Sequence, residues 1–432
     1  MEIKRELYLN RLIVRKHNGM IKVVTGIRRC GKSYLLNMLF YHHLLESGVP
    51  KDHILRFAFD SAEDLKQIGE NFIEIYEGKK KADAGRFMDY VANRVRDEGQ
   101  YYLLLDEVQY LSGFEGVLNS FLHRDNVDVY VTGSNSKFLS SDIITEFAGR
   151  GDEVRVYPLT FSEYYSVYDG SKDEAFDEYM TYGGLPAVAL MQTEEQKSTY
   201  LMAQMKNVYL RDIVLRHNLS SDKAIEELVD LIASDISCLV NPKKLADTFR
   251  SMKGGLSISE TTIDRYISHL EDAFIISRAK RYDVKGKRYI GTPYKLYFED
   301  VGLRNARLHF RQPEETHLME NIIYNELRVR GYQVDVGVVE VRERENGENP
   351  VRKTYEIDFV ANMGNKRSYI QSAYAIPDEE KRRQETKSFD NIGDSFRKFI
   401  LVEKTMKPRY DENGYIMMGV REFLLDAHSL DT

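Results

Sequence analysis

Gly26-Ile27-Arg28-Arg29-Cys30-Gly31-Lys32-Ser33 is the stretch on which the reading of this chain turns. It follows the apolar run Ile21-Lys22-Val23-Val24-Thr25 and leads into a helical pattern carrying Leu35, Leu36 and Leu39. The spacing is G-x-x-x-x-G-K-[ST], in the strand-then-helix setting that such a loop requires. Glycines let the loop curl until its N–H groups point inward at a phosphate chain, and the helix start adds partial positive charge. Gly26, Ile27, Arg28, Arg29, Cys30, Gly31, Lys32 and Ser33 are therefore the expected nucleotide-binding residues. Lys32 should reach the β- and γ-phosphates, and the Ser33 hydroxyl should ligate magnesium. Arg28 and Arg29 are either phosphate contacts or partners of acidic side chains elsewhere.

Outward from the loop, strand-like segments alternate with amphipathic ones, the pattern of an α/β parallel sheet. The expected strands are Ile21–Thr25, Ile54–Asp60, Tyr101–Asp106, Val127–Thr132 and Glu153–Tyr157. The third, Tyr101-Tyr102-Leu103-Leu104-Leu105-Asp106, ends in two carboxylates with Glu107, as a Walker B element does. Asp106 at the strand tip should hold magnesium through water, and Glu107 should polarise the water that attacks the γ-phosphate. Phosphoryl transfer needs little covalent chemistry from the protein, so a metal, a positioned water and fixed positive charge supply most of it. A helix, a strand and another helix fit between Lys32 and Asp106, the extra strand being a mark of NTPases whose catalytic Glu follows the Walker B Asp. The next strand runs into Gly133-Ser134-Asn135, where Ser134 and Asn135 are candidates for sensing the γ-phosphate or holding the water. Beyond them, Arg150 in Ala148-Gly149-Arg150-Gly151 is a candidate cation for nucleotide in the same or a neighbouring subunit.

Composition bounds the alternatives. The chain has 432 residues, a length that suits about two to four domains. Its 42% hydrophobic and 30% charged content is ordinary for a globular protein. No apolar run approaches the length of a membrane span, and the N-terminal residues lack a signal-peptide layout. Only Cys30 and Cys238 occur, which excludes a disulfide framework or a zinc cluster and makes the cytoplasm the expected compartment. A net charge of −7 argues against a nucleic-acid coat protein but leaves room for a local basic site.

The loop, the Leu-Leu-Leu-Asp-Glu-Val-Gln run at 103–109, Thr132-Gly133-Ser134-Asn135 and Ala148-Gly149-Arg150 resemble a group of bacterial and archaeal AAA-superfamily ATPases. Tyr182-Gly183-Gly184-Leu185-Pro186 and Tyr209-Leu210-Arg211-Asp212-Ile213 look like that group's connecting segment. The resemblance implies an AAA-type P-loop ATPase module with ATP and Mg2+ as cofactors, followed by a C-terminal region of unassigned function.

Residues 166–235 are mainly helical in pattern and are expected to form a lid or connector. From Asn241 the texture changes. Pro242–Phe249 reads as a short helix with Pro242 in its first turn. A glycine turn at Lys253-Gly254-Gly255 follows, and Ser257-Ile258-Ser259-Glu260 fits a capping box. Ile263, Tyr266, Ile267 and Leu270 then form one apolar helical face. Two strand-like runs around a basic turn complete the order of a winged helix-turn-helix. From Arg278 to Lys295 seven residues are basic (Arg278, Lys280, Arg281, Lys285, Lys287, Arg288, Lys295) against the single acid Asp283, with Tyr282 and Tyr289 interleaved. That wing, 278–295, is the expected site for duplex DNA phosphates.

In the last third, a helix at Glu320–Leu327, strands at Tyr332–Val336, Tyr355–Val360 and Tyr369–Tyr374, a helix at Asp378–Lys387 and a strand at Phe399–Val402 give the order α-β-β-β-α-β. This resembles the restriction-endonuclease-like PD-(D/E)xK fold, a match that would put Asp358 at the metal-binding aspartate position and Glu320 at the helical acid. The second motif of that fold needs an acid, any residue, then lysine. Gln371-Ser372-Ala373 stands there instead, so cleavage is not expected unless Lys381 or Lys387 supplies the missing ammonium.

The expected fold is thus α/β: an AAA-type P-loop domain over 1–165, a helical lid over 166–235, a winged helix over 236–303 and a PD-(D/E)xK-like domain over 304–432. The expected activity is hydrolysis of Mg-ATP to ADP and phosphate, with nucleotide state repositioning the later domains. An ATP-responsive DNA-binding regulator and a metal-dependent nuclease are the alternatives. A homo-oligomer is an expected form, and a membrane is not an expected partner.

Overall fold

The computed structural model describes residues 3–133, 147, 149–210, 213–214, 222–251, 258–343 and 351–431. The chain divides into two compact units, Met1–Tyr157 and Pro158–Thr432.

In the first unit, β1 (Ile21–Thr25), β2 (Ile54–Ala58), β3 (Tyr101–Asp106), β4 (Val127–Thr132) and β5 (Gly151–Arg155) form one sheet in the order β2-β3-β4-β1-β5. Every neighbouring pair is parallel. Sheets of this kind are covered on both faces, which is why β1, β3 and β4 are buried along their whole length and read as apolar runs. Leu103, Leu105, Val129 and Val131 pack with Phe57, Phe59, Phe87 and Phe121 in the core on one face. Each such side chain contributes about 1.5–3 kcal/mol when fully buried. All five expected strands are present; β2 stops at Ala58 and β5 starts at Gly151. In parallel strands the C-terminal tips share one edge, so the ends of β1, β3 and β4 come together there, with β4 between the loop strand and the carboxylate strand.

One charge is buried inside the apolar run of β1 and one inside that of β4. Lys22 on β1 is 0% exposed and pairs with Asp128 on β4. Asp128 also accepts from the Tyr130 hydroxyl at 2.9 Å and the His17 N–H at 3.1 Å. Burial pulls the Lys22 pKa down, and the Asp128 carboxylate pushes it back.

The second unit begins with helices Phe161–Tyr165, Lys172–Tyr182, Pro186–Ala189 and Glu194–Ala203, with Asp222–Ser234 after the undescribed 215–221. The Tyr182-Gly183-Gly184 segment passes directly over the start of helix Val301–Arg307. The Asp300 carboxylate caps that helix through the Leu303 N–H at 3.0 Å and accepts the Gly184 N–H at 2.7 Å. At Gly183, where φ is +73°, a Cβ would fall 2.3 Å from Asp300 Oδ1, so only glycine fits the crossing.

Helices Pro242–Ser251 and Glu260–Asp272 follow, and the second is capped by Ser259 accepting from the Thr262 N–H. The cap therefore sits two residues beyond the expected Ser257, which, like Lys253-Gly254-Gly255, lies outside the described residues. The hairpin of β7 (Ile276–Asp283) and β8 (Arg288–Phe298) comes next, and β6 (Leu239–Val240) pairs with its second strand.

Helix Glu315–Val329, then β9 (Gln333–Glu343), β10 (Val351–Met363), β11 (Lys366–Ala373), helix Glu379–Asp390 and β12 (Arg397–Val402) run in the expected order, with β13 (Arg409–Tyr410) and β14 (Ile416–Gly419) added beyond. The hairpin is not a separate projection. Strand β7 pairs in parallel with β9, so one nine-stranded sheet, β13-β14-β12-β11-β10-β9-β7-β8-β6, runs across the boundary expected at 303/304. Asn321 strengthens the join by exchanging hydrogen bonds with the Phe298 backbone at 2.8 and 2.7 Å.

Candidate nucleotide-binding site

The loop after β1 is shaped by its first residue. Gly26 has φ +135°, and a Cβ there would lie 2.0 Å from the Val156 carbonyl oxygen, so the turn closes only with glycine. Ile27 and Cys30 point into the protein, Cys30 donating to the Val156 carbonyl at 3.4 Å, while Arg28 and Arg29 are exposed. Lys32 curls back over the loop, its ammonium donating to the carbonyls of Gly26 at 2.9 Å and Ile27 at 3.0 Å. Its charge is thereby kept inside the ring of backbone where a phosphate chain would lie.

Sequence places Ser33 and Asp106 far apart; the fold brings them together. The Ser33 hydroxyl faces the Asp106 carboxylate and favours its charged form. Asn37, one turn further along the helix, donates to Asp106 Oδ2 at 3.2 Å. Thr132, the last residue of β4, donates its hydroxyl to Asp106 Oδ1 and accepts the Glu107 N–H at 3.2 Å. Burial pushes the Asp106 carboxyl up from its usual range, and the Glu107 charge adds to that; the hydroxyls and Lys32 oppose it. A buried carboxylate in that state gains from a nearby cation, and its contact with the Ser33 hydroxyl is the donor pair that Mg2+ would take. These residues fit the ion.

Glu107 has an unusual backbone. Its φ of +53° puts a non-glycine residue in the left-handed region, which costs of order 1–3 kcal/mol and is commonly found at functional sites. Gln109, buried one short 3-10 turn later, donates its amide to Glu107 Oε2. Asp60, just past β2, joins the same edge: desolvation and the charges of Asp106 and Glu107 raise its carboxyl pKa, with Arg28 opposing. Asn37, Asp60, Gln109 and Thr132 were not among the expected site residues. Thr132 carried a legible signal, a polar residue closing an apolar strand beside the Asp-Glu pair.

Two expectations fare differently. Ser134 and Asn135 lie outside the described residues. Arg150 is corrected for the nucleotide of its own chain. It precedes β5, Ile21 pairs with Gly151, and the Ile21 N–H bonds the Arg150 carbonyl at 2.8 Å. Arg150 thus starts at the edge opposite the loop, about 13 Å away along β1. Thr25, at the loop end, is aligned with Arg155 instead.

In the second unit the basic wing is partly consumed by its own acids. Arg278 bonds Glu271 at 3.0 Å and Asp264 at 3.3 Å, and Lys295 is buried against Glu320. Lys280, Lys285, Lys287, Arg288 and Tyr289 remain exposed. Asp358 and Glu320 do come together, through Lys295. Of the two lysines considered for the missing position, Lys381 pairs with Glu385 at 2.6 Å and Lys387 lies over the Tyr355 ring at 5.0 Å.

Among the described residues no helix is long and apolar enough to cross a membrane. Residues 18–165 match the AAA domain, and 173–314 match a domain of unknown function, DUF8612. An uncharacterized protein of Haemophilus influenzae is 32% identical over 408 residues, covering 93% of this chain and 94% of its own. The uncharacterized protein MJ1544 of Methanocaldococcus jannaschii is 26% identical over 376 residues, covering 84% and 77%. Among solved structures, the Walker-type ATPase PABY2304 of Pyrococcus abyssi aligns over 71% of this chain and 96% of its own at 16% identity, with a TM-score of 0.48. The Aeropyrum pernix ORC1 protein in complex with DNA aligns over 70% and 91% at 14% identity, with a TM-score of 0.31. With nearly the whole of both chains shared with the Haemophilus protein, and the AAA domain covering the loop, Asp106 and Thr132, this chain belongs to the family of that protein and carries an AAA-type domain over residues 18–165.

Proposed function

We propose that the protein binds Mg-ATP at Gly26–Ser33 and hydrolyses it to ADP and phosphate. One observation carries the reading: the Thr132 hydroxyl bonds the Asp106 carboxylate, which the Ser33 hydroxyl also faces, with Glu107 next in the chain. In this reading the loop amides and Lys32 take the β- and γ-phosphates, Lys32 exchanging its two carbonyl partners for phosphate oxygens. Ser33 and Asp106 would hold Mg2+, which would supply positive charge to the phosphates. Glu107 accepts a proton from the attacking water as its oxygen bonds the γ-phosphorus and the bond to the ADP oxygen breaks. Thr132 and Gln109 fix the backbone and carboxylate of Glu107 for that task. Ser134 and Asn135 retain their proposed part at the γ-phosphate. Arg150 could serve only the nucleotide of a neighbouring copy, in a homo-oligomer.

Phosphate release measured on the full chain tests the assignment. Lys32→Ala is expected to lose nucleotide binding, while Glu107→Gln should bind ATP and barely turn it over. Undiminished turnover in Glu107→Gln would remove Glu107 from the mechanism. Differential affinity of two conformations for ATP and ADP would couple the site to the second unit. Hydrogen exchange in that unit should then differ between the two nucleotides.

A second reading, an ATP-responsive DNA-binding protein, draws on the exposed cations and Tyr289 at the tip of the β7–β8 hairpin. The order helix, helix, hairpin supports a winged-helix use of this segment. Retention on duplex DNA that falls with salt is its expected signature; retention that ignores salt, or none at all, rejects it.

A further inference from the structure

Four charged side chains meet inside the second unit. Lys295 Nζ lies 2.8 Å from Glu320 Oε1, 2.8 Å from Glu356 Oε1 and 3.6 Å from Asp358 Oδ1. Lys295, Glu320 and Asp358 are 4%, 6% and 8% exposed. The Tyr297 hydroxyl donates to Glu320 Oε1 at 2.7 Å, and the Ser372 N–H donates to Asp358 Oδ2 at 2.8 Å. Glu320 and Asp358 are the two acids that the resemblance to PD-(D/E)xK nucleases would assign to a metal.

The residues do not fit that metal. A divalent ion draws carboxylate oxygens to about 2.0–2.6 Å and needs their lone pairs free. Here the carboxylates converge on a nitrogen at hydrogen-bond distances, and a metal at the same point would face an ammonium charge. That ammonium is not on a loose tail. Lys295 sits in the middle of β8, paired across one side with Leu239 of β6 and across the other with Ala279 of β7. Burial opposes its charge, but Glu320, Asp358 and Glu356 outweigh burial and hold its pKa above the usual lysine value. The position where the nuclease motif needs an acid holds the neutral Gln371, and its lysine position holds Ala373. The burial of Lys295, Glu320 and Asp358 also leaves little of the cluster open to a phosphodiester.

We propose that Lys295 is the resident cation of this cluster, standing where a divalent ion would stand in a nuclease of similar fold. The cluster then binds no metal, the unit does not cleave DNA, and the three carboxylates serve to tie the β7–β8 hairpin to helix Glu315–Val329 and β10. The inference is independent of ATP hydrolysis.

The test is Mn2+ uptake by the full chain without nucleotide, followed by the electron paramagnetic resonance of free Mn2+, with plasmid nicking alongside. The natural protein and Asp358→Asn should take up equal amounts of Mn2+, and neither should nick. Lys295→Ala, stripped of its built-in charge, should take up an additional Mn2+ and unfold at a higher temperature when the ion is present. That gain should disappear in Lys295→Ala combined with Asp358→Asn. Tight Mn2+ uptake or nicking by the natural protein that is lost in Asp358→Asn would overturn the proposal. So would a folded Lys295→Ala that gains no Mn2+. If Lys295→Ala does not fold, the comparison of the natural protein with Asp358→Asn decides alone.

Discussion

Gln109→Ala should slow ATP turnover without weakening ATP binding. The Gln109 amide donates to the Glu107 carboxylate, whose backbone is already held in a left-handed conformation. A hydrogen bond to a charged partner contributes about 1.5–3 kcal/mol, and its loss frees the carboxylate to rotate away from the water it should activate. If all of that is felt in the transition state, kcat falls by about 10- to 150-fold while KM for ATP stays near its starting value. Gln109→Glu should slow turnover too, since a second carboxylate in that place repels Glu107 and makes it a poorer orienting partner. The assay is steady-state phosphate release across ATP concentrations, with near-ultraviolet circular dichroism to show that the variant is folded. A kcat within about twofold of the natural protein, or a rise in KM that accounts for the whole loss, would refute the idea that Gln109 orients Glu107.

Lys22→Met leaves the Asp128 charge buried in the sheet with only neutral donors, a change that costs about 3–5 kcal/mol. For a unit of this size that lowers Tm by about 6–20 °C in differential scanning calorimetry, and adding Asp128→Asn should recover much of it. Asp300 supplies a pH dependence: burial pushes its carboxyl up to about 6, the four backbone amides around it pulling the other way. Because the folded value lies above the unfolded one, its contribution to stability is complete at low pH and is lost as pH rises through about 6. Urea midpoints for the natural protein should therefore fall more between about pH 4 and pH 7 than those of Asp300→Asn; equal slopes would remove Asp300 as the cause.

The first unit was legible because its signals are local. An apolar strand, a glycine loop and a helix announce themselves in consecutive residues, and the Asp-Glu pair closes a run of leucines. What lay beyond reading was set by contacts distant in sequence. Nothing near Lys295 in sequence says that it will meet Glu320, Glu356 and Asp358, whereas Lys381 and Lys387 follow the Gln371-Ser372-Ala373 segment directly. The β7–β9 pairing is likewise a matter of which strand edges meet, and it makes the hairpin expected as a wing part of a larger sheet. The same-chain half of the Arg150 expectation failed for a different reason. In a parallel sheet a residue preceding a strand begins at the edge opposite the strand tips, so Arg150 starts away from the loop after β1 although it is close in sequence to Ser134 and Asn135. Gln109 and Asn37 look like ordinary polar surface positions in sequence; only the turn after β3 and the helix facing it make them neighbours of the carboxylates.

The unbroken sheet has a practical consequence for anyone dividing this protein into soluble fragments. Severing the chain at 303/304 would strip β9 of its parallel neighbour and bare a row of unpaired amides and carbonyls, an invitation to aggregate. It would also leave Glu320 and Asp358 without their ammonium. A cut at 157/158 severs no strand of either sheet, and the piece that follows keeps the hairpin, the helix and the carboxylates in one polypeptide.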